Sequence, residues 1–121
     1  MNWILVFIGG GIGSILRYGI SVFFQKQSTV TLPYATLWAN IISCVVFALI
    51  YFLYQQKDTI PSSLKMFLLI GFCGGLSTFS TFSVETFELI KRGDLMYAIL
   101  NIVVNVSLCL LVFYVLASKT E

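Results

Sequence analysis

Residues 63–90 form one long apolar stretch, and midway through it the chain reads Gly74-Gly75-Leu76-Ser77-Thr78-Phe79-Ser80-Thr81-Phe82. Adjacent glycines and a run of hydroxyls interrupt a segment that otherwise suits a membrane-spanning helix. Lipid offers no partner to freed backbone groups. A helix that loosens at mid-depth is therefore buried in protein or lines a watery cavity. In membrane transporters, discontinuous helices of this kind mark ion or substrate sites. The interruption predicts a small ion-handling membrane protein.

Composition sets the class around that segment. Of 121 residues, 59% are hydrophobic and only 10% charged, and the mean hydropathy is +0.97. Soluble domains average about 25% charged residues. A bilayer span needs about 20 mostly apolar residues. Four such stretches are readable, roughly 2–24, 33–54, 63–90 and 95–117. They predict an all-α integral membrane protein, one four-helix domain over 1–121, with the third helix broken near its middle. Pro33 suits the start of the second helix. The first stretch has no basic segment before it and no clear cleavage site, so it is expected to stay as a helix. Cys44, Cys73 and Cys109 all lie within apolar stretches. They are expected to be free thiols acting as small packing residues. With no His and no closely spaced cysteines, a side-chain metal site is not expected.

Charge placement bears on assembly. On one side of the membrane lie Lys57, Lys65 and Lys119; on the other, Lys26, Lys91 and Arg92. Insertion is oriented by an excess of Lys and Arg on one side. Three against three gives no excess, so the chain is expected to insert either way up. Four short helices enclose little by themselves. Dual insertion permits an antiparallel two-fold homodimer, which resembles the inverted repeats of larger transporters.

Single residues then ask for partners. Gly9-Gly10-Gly11-Ile12-Gly13 suits close helix packing. Arg17, in the same span, is costly in lipid and seldom faces it. It is read as a structural anchor that snorkels or pairs with an acid or with backbone carbonyls. Asn40 needs a partner at its depth, either an interhelical hydrogen bond or an ion in a vestibule. Helical spacing places Thr78, Thr81, Phe82 and Glu85 on one face, with Phe79 and Phe82 as i, i+3 neighbours. Phe rings carry a positive edge, which could attract a small anion in a dry constriction. Carbonyls freed near Gly74 and Ser77 could instead bind a cation. In the last span, Tyr97, Asn101, Asn105 and Cys109 recur every four residues as a polar stripe. It serves either as helix–helix glue or as the lining of a narrow path.

Three motifs resemble the Fluc (CrcB-type) fluoride channel family over essentially the whole chain. They are Gly10-Gly11-Ile12-Gly13-Ser14-Ile15-Leu16-Arg17-Tyr18, Thr36-Leu37-Trp38-Ala39-Asn40, and the highly specific segment from Gly71 to Glu85. The resemblance implies an antiparallel, dual-topology homodimer in the cell inner (plasma) membrane that exports fluoride passively. It implies that Asn40 lies at a vestibule floor and that Phe79 and Phe82 turn ring edges toward fluoride. It further implies a central structural sodium ion held by the backbone carbonyls of Gly74 and Ser77, two from each protomer. Asn101, Asn105 and Cys109 would match a polar track, and Thr78, Ser80 and Thr81 a hydroxyl-rich segment. Arg17 and Glu85 would be structural. The chain departs from the family pattern at Ser77, often Thr; at Ala35 and Ser43, often Gly; and in the amides of its fourth-helix stripe.

Two other classes are weaker. A small multidrug-type, proton-coupled exporter is also four-helical and dual in topology, but it depends on an acid deep in its first helix. The first span here holds none. An intramembrane enzyme would need acid–base groups, and the chain offers no His, no intramembrane Asp pair and no evident Ser–Lys dyad. Neither an enzyme nor a nucleic-acid partner is expected.

Overall fold

The structure is a computed structural model that describes residues 2–26, 34–57 and 61–120. Among these residues it is all helical, with no strand. Helix α1 covers Asn2–Lys26 and α2 covers Tyr34–Lys57. The third span starts as α3, Ser62–Lys65, widens into a π-helical stretch, Met66–Cys73, and closes as α4, Gly74–Leu76. It resumes as α5, Ser80–Lys91, and the chain ends in α6, Leu95–Thr120. Four segments are long and apolar enough to cross a membrane: Asn2–Phe24, Tyr34–Phe52, Ser62–Lys91 and Leu95–Lys119. Pro33 and the central residues of the first two linkers lie outside the described residues.

The helices pack as two parallel pairs. The first joins α1 to the leading half of the third span, and glycine makes it possible. Gly9 and Gly13 on α1 face Gly71 and Gly75 across the seam, both pairs at i, i+4 spacing. A Cβ on Gly9 would run into the Phe67 carbonyl and approach the Phe72 nitrogen at 3.0 Å. One on Gly13 would collide with the Phe72 carbonyl, and one on Gly75 with the Gly10 carbonyl. Small residues at this spacing let backbones touch, which is how membrane helices associate without a hydrophobic driving force. The expectation of tight packing therefore holds at Gly9 and Gly13. Gly11 and Gly19 face open space.

The second pair joins α2 to α6 in register. Asn40 bonds Asn105, and two turns further on Phe47 meets Phe113 edge-on at a centroid distance of 5.9 Å. The third span crosses α2 the other way. There the Ser43 hydroxyl donates to the Cys73 carbonyl at 3.0 Å, and the Cys73 thiol donates back to the Ser43 carbonyl at 3.5 Å. At the far end of α5, Gly93 takes φ +87°. Its N–H bonds the Ile90 carbonyl, and the Asp94 N–H bonds the Leu89 carbonyl. That left-handed glycine cap stops α5 and turns the chain into α6 within three residues.

Candidate functional site

The site is built on the gap between α4 and α5. At Ser77 the backbone leaves the helix, with φ −79° and ψ 155°. Gly74, by contrast, remains helical, at φ −64° and ψ −34°. The adjacent glycines are therefore not the point of loosening. Gly75 is small because Gly10 lies against it, and the interruption comes in the hydroxyl run that follows.

Each end of the gap is closed by side chains. The Cys73 carbonyl accepts from the Ser77 N–H and the Ser77 hydroxyl, both at 2.9 Å, as well as from Ser43. On the other side the Thr78 hydroxyl caps α5 by accepting the Thr81 N–H at 3.1 Å. Ser80 Oγ lies 3.4 Å from the same hydroxyl. Arg17 reaches in from α1, and its Nε donates to the Gly75 carbonyl at 3.1 Å. Of the partners foreseen for this arginine, the structure supplies a backbone carbonyl.

Asn40 spans the gap. Its Oδ1 accepts the Thr78 N–H at 3.0 Å, and its Nδ2 donates to Asn105 Oδ1 at 3.3 Å. A backbone donor demands the oxygen, so the amide orientation is set by its neighbours. From Asn105 the bonds continue in one direction. Asn105 Nδ2 donates to Asn101 Oδ1 and to the Asn101 carbonyl, both at 2.9 Å. Asn101 Nδ2 donates to Thr86 Oγ1 at 2.9 Å, and Thr86 donates to the Phe82 carbonyl at 2.8 Å. Asn101, Asn105 and Thr86 are all buried. This relay ties α2, α5 and α6 together, and aligned bonds of this kind polarise one another.

Beside the relay opens a cleft of about 250 Å³. Asn40, Ser77, Thr78, Phe79, Phe82 and Asn105 line it, with Cys44 and Cys109 on its wall. The two rings sit 5.7 Å apart, tilted by 42°. Phe82 is buried, whereas Phe79 is 78% exposed on the protomer. The cleft thus gathers six of the residues expected along an ion path: Asn40, Thr78, Phe79, Phe82, Asn105 and Cys109. Ser80, Thr81 and Asn101 are not among its lining residues. Glu85 is half-buried with Thr36 as a hydrogen-bond partner, and its Oε1 is buried with none.

Gly74 and Ser77 are among the carbonyls that lose their usual helical donors at the gap. In an unbroken helix, Thr78 N–H would serve Gly74 and Thr81 N–H would serve Ser77. The first goes to Asn40 and the second to the Thr78 hydroxyl. Gly74 is exposed, and a Cβ there would meet nothing within 4 Å. The sequence reading gave no role to Thr86, which completes the relay. Its only signal was a hydroxyl one turn beyond Phe82, on the face turned to the following helix.

The chain matches the family described as CrcB-like protein, Camphor Resistance (CrcB), over residues 4–117. It is 43% identical over 113 residues to a protein of Shewanella sp. (strain W3-18-1) named fluoride-specific ion channel FluC, covering 93% of this chain and 90% of that one. A protein of the same name from Shewanella baltica (strain OS185) is 42% identical over the same length and coverage. The chain belongs to the CrcB family.

Proposed function

From that membership we propose that this chain is a fluoride-selective channel, not an enzyme, through which fluoride leaves the cell passively across the plasma membrane. The observation that supports this best is the Asn40 amide beside the Phe79–Phe82 pair in one cleft. With Oδ1 engaged by the Thr78 N–H, the amide turns its N–H donors the other way. One serves Asn105. An amide nitrogen carries two N–H donors, and the second replaces water on an arriving fluoride. The ring edges of Phe79 and Phe82 then carry the anion through a stretch without fixed charge. Sites that bind briefly and release are what conduction requires.

The functional unit of this reading is an antiparallel homodimer in the membrane. Phe79 lies open on the protomer, and a second copy completes its surroundings. Gly74 and Ser77 are suited to hold a structural sodium at the two-fold axis. Their carbonyls are among those whose helical donors are diverted, and hard cations prefer oxygen ligands. A sodium ion there would give these carbonyls the partner that the diverted helical donors no longer supply.

The test is fluoride efflux from liposomes holding purified protein, with chloride and proton-gradient controls. We expect fluoride efflux without chloride efflux, unchanged by an imposed proton gradient. Flux driven by the proton gradient would replace the channel with a coupled exporter.

A further inference from the structure

Cys44 and Cys109 have no role in the conduction step proposed above, yet they stand between two contacts that set the register of α2 against α6. One turn before them Asn40 bonds Asn105 across α2 and α6 at 3.3 Å. About one turn after them Phe47 meets Phe113 at 5.9 Å. The helices run parallel through both contacts, so the intervening pair must face each other. Both thiols line the one cleft, beside Asn40 and Asn105. Neither is in a disulfide. Their separation in sequence hides this, because no local motif joins residues 65 positions apart.

We propose that Cys44 and Cys109 form a two-thiolate site for a soft cation of the linear-coordinating class, such as Hg²⁺, and that its occupation obstructs the cleft. Thiolates select soft metals over hard ones. Linear coordination needs only two ligands, so the pair suffices without a third group. Binding converts two S–H groups and Hg²⁺ into S–Hg–S and two released protons, with no change of oxidation state. Two facing thiols held by packed helices chelate, so the second bond forms intramolecularly and raises affinity by about 10²-fold or more over one thiol.

Binding is tested apart from transport. Purified protein is treated with one equivalent of Hg²⁺, washed with excess glutathione as a monothiol competitor, and assayed for retained mercury. The parent chain and Cys73→Ser should each retain close to one mercury per protomer. Cys44→Ser and Cys109→Ser should retain little, as should the corresponding Ala variants made in case Ser perturbs the helix seam. Retention by the single variants, loss in Cys73→Ser, or no retention by the parent would overturn the site. The obstruction rests on the channel reading, so it has its own arm. Mercury-loaded parent protein should lose fluoride efflux, and a strong dithiol that strips the metal should restore it. Full efflux with mercury retained would remove the obstruction and leave the site standing.

Discussion

The molecule has two parallel helix seams, built from opposite materials. Between α1 and the third span the contact is backbone against backbone, through Gly9, Gly13, Gly71 and Gly75. Between α2 and α6, reaching to α5, it is made by side-chain amides and hydroxyls, from Asn40 through Asn105 and Asn101 to Thr86. In the first seam one backbone closes on another with no side chain between, so its fit is steric. The second consists of donors and acceptors, and an amide can trade one partner for an ion. The rigid seam holds the gap in place and the polar seam furnishes it. Arg17 reinforces the glycine seam, since it stands on α1 and donates to the Gly75 carbonyl one residue before Leu76 closes α4.

The strongest way to break this contrast is to add bulk to the glycine seam. In Gly13→Val the side chain runs into the backbone of Phe72 and Leu76, which cannot move aside as a side chain would. Overpacking a core costs about 1–3 kcal/mol, and against fixed backbone the upper end or more is expected. Size-exclusion of detergent-purified protein should show loss of the folded species. A monodisperse Gly13→Val protein with an unchanged thermal midpoint would mean that the seam is not steric.

Next in size are changes in the cleft that leave the glycine seam alone. Phe79→Ile and Phe82→Ile keep apolar volume but remove the positive ring edge. Asn40→Asp removes an amide donor and places negative charge in an anion path. Each should slow fluoride efflux by at least about tenfold, equivalent to about 1.4 kcal/mol of barrier, while the protein still purifies as a folded assembly. Normal flux in all three, with stability unchanged, would take these residues out of the pathway.

The two seams also differed in how far sequence could reveal them. Four apolar stretches of span length show directly in hydropathy, because the bilayer enforces length and apolarity together. Gly9 and Gly13 were readable as close-packing positions, since small residues at helical spacing have one common use in membranes. What could not be read was which glycines serve it. Gly74 and Gly75 looked like the point of loosening, yet both are helical and Gly75 is spent on Gly10. Chain departure at Ser77 depends on Asn40 arriving from another helix to take the Thr78 N–H. Asn101 and Asn105 showed in their four-residue spacing. Their partner Thr86 did not, because its role depends on how the Gly93 cap folds α6 back onto α5.

A smaller effect sharpens the polar seam. Asn101 is 4% exposed and sits at the middle of the relay, outside the cleft lining. Asn101→Leu removes the donor to Thr86 and one acceptor from Asn105, whose N–H keeps the main-chain carbonyl of residue 101. Interhelical polar contacts in membranes average about 0.6 kcal/mol, and a group left buried without a partner costs about 1–3 kcal/mol. With two neighbours affected and one partly compensated, a loss of about 1–2 kcal/mol is expected by unfolding in detergent, with flux reduced only modestly. Collapse of fluoride efflux with stability intact would assign Asn101 to the ion path and not to the joint.

The smallest expected effect on the protomer comes from glycines outside both seams, and it separates protomer from assembly. Neither Gly11 nor Gly74 has any atom within 4 Å of an added Cβ, and both are helical. Ala is the better helix former by about 1 kcal/mol in an exposed helix interior, so neither Gly11→Ala nor Gly74→Ala should destabilise the folded chain. If the protomer worked alone, the two variants would behave alike in every assay. The dimer reading demands that they part. Gly74 carries a carbonyl placed at the proposed two-fold axis, where a methyl from each copy would crowd the partner. Gly74→Ala should therefore shift the cross-linked population from dimer toward monomer and lower efflux, whereas Gly11→Ala should do neither. Identical dimer fractions for the two variants would remove Gly74 from the interface, and with it the carbonyl site proposed there.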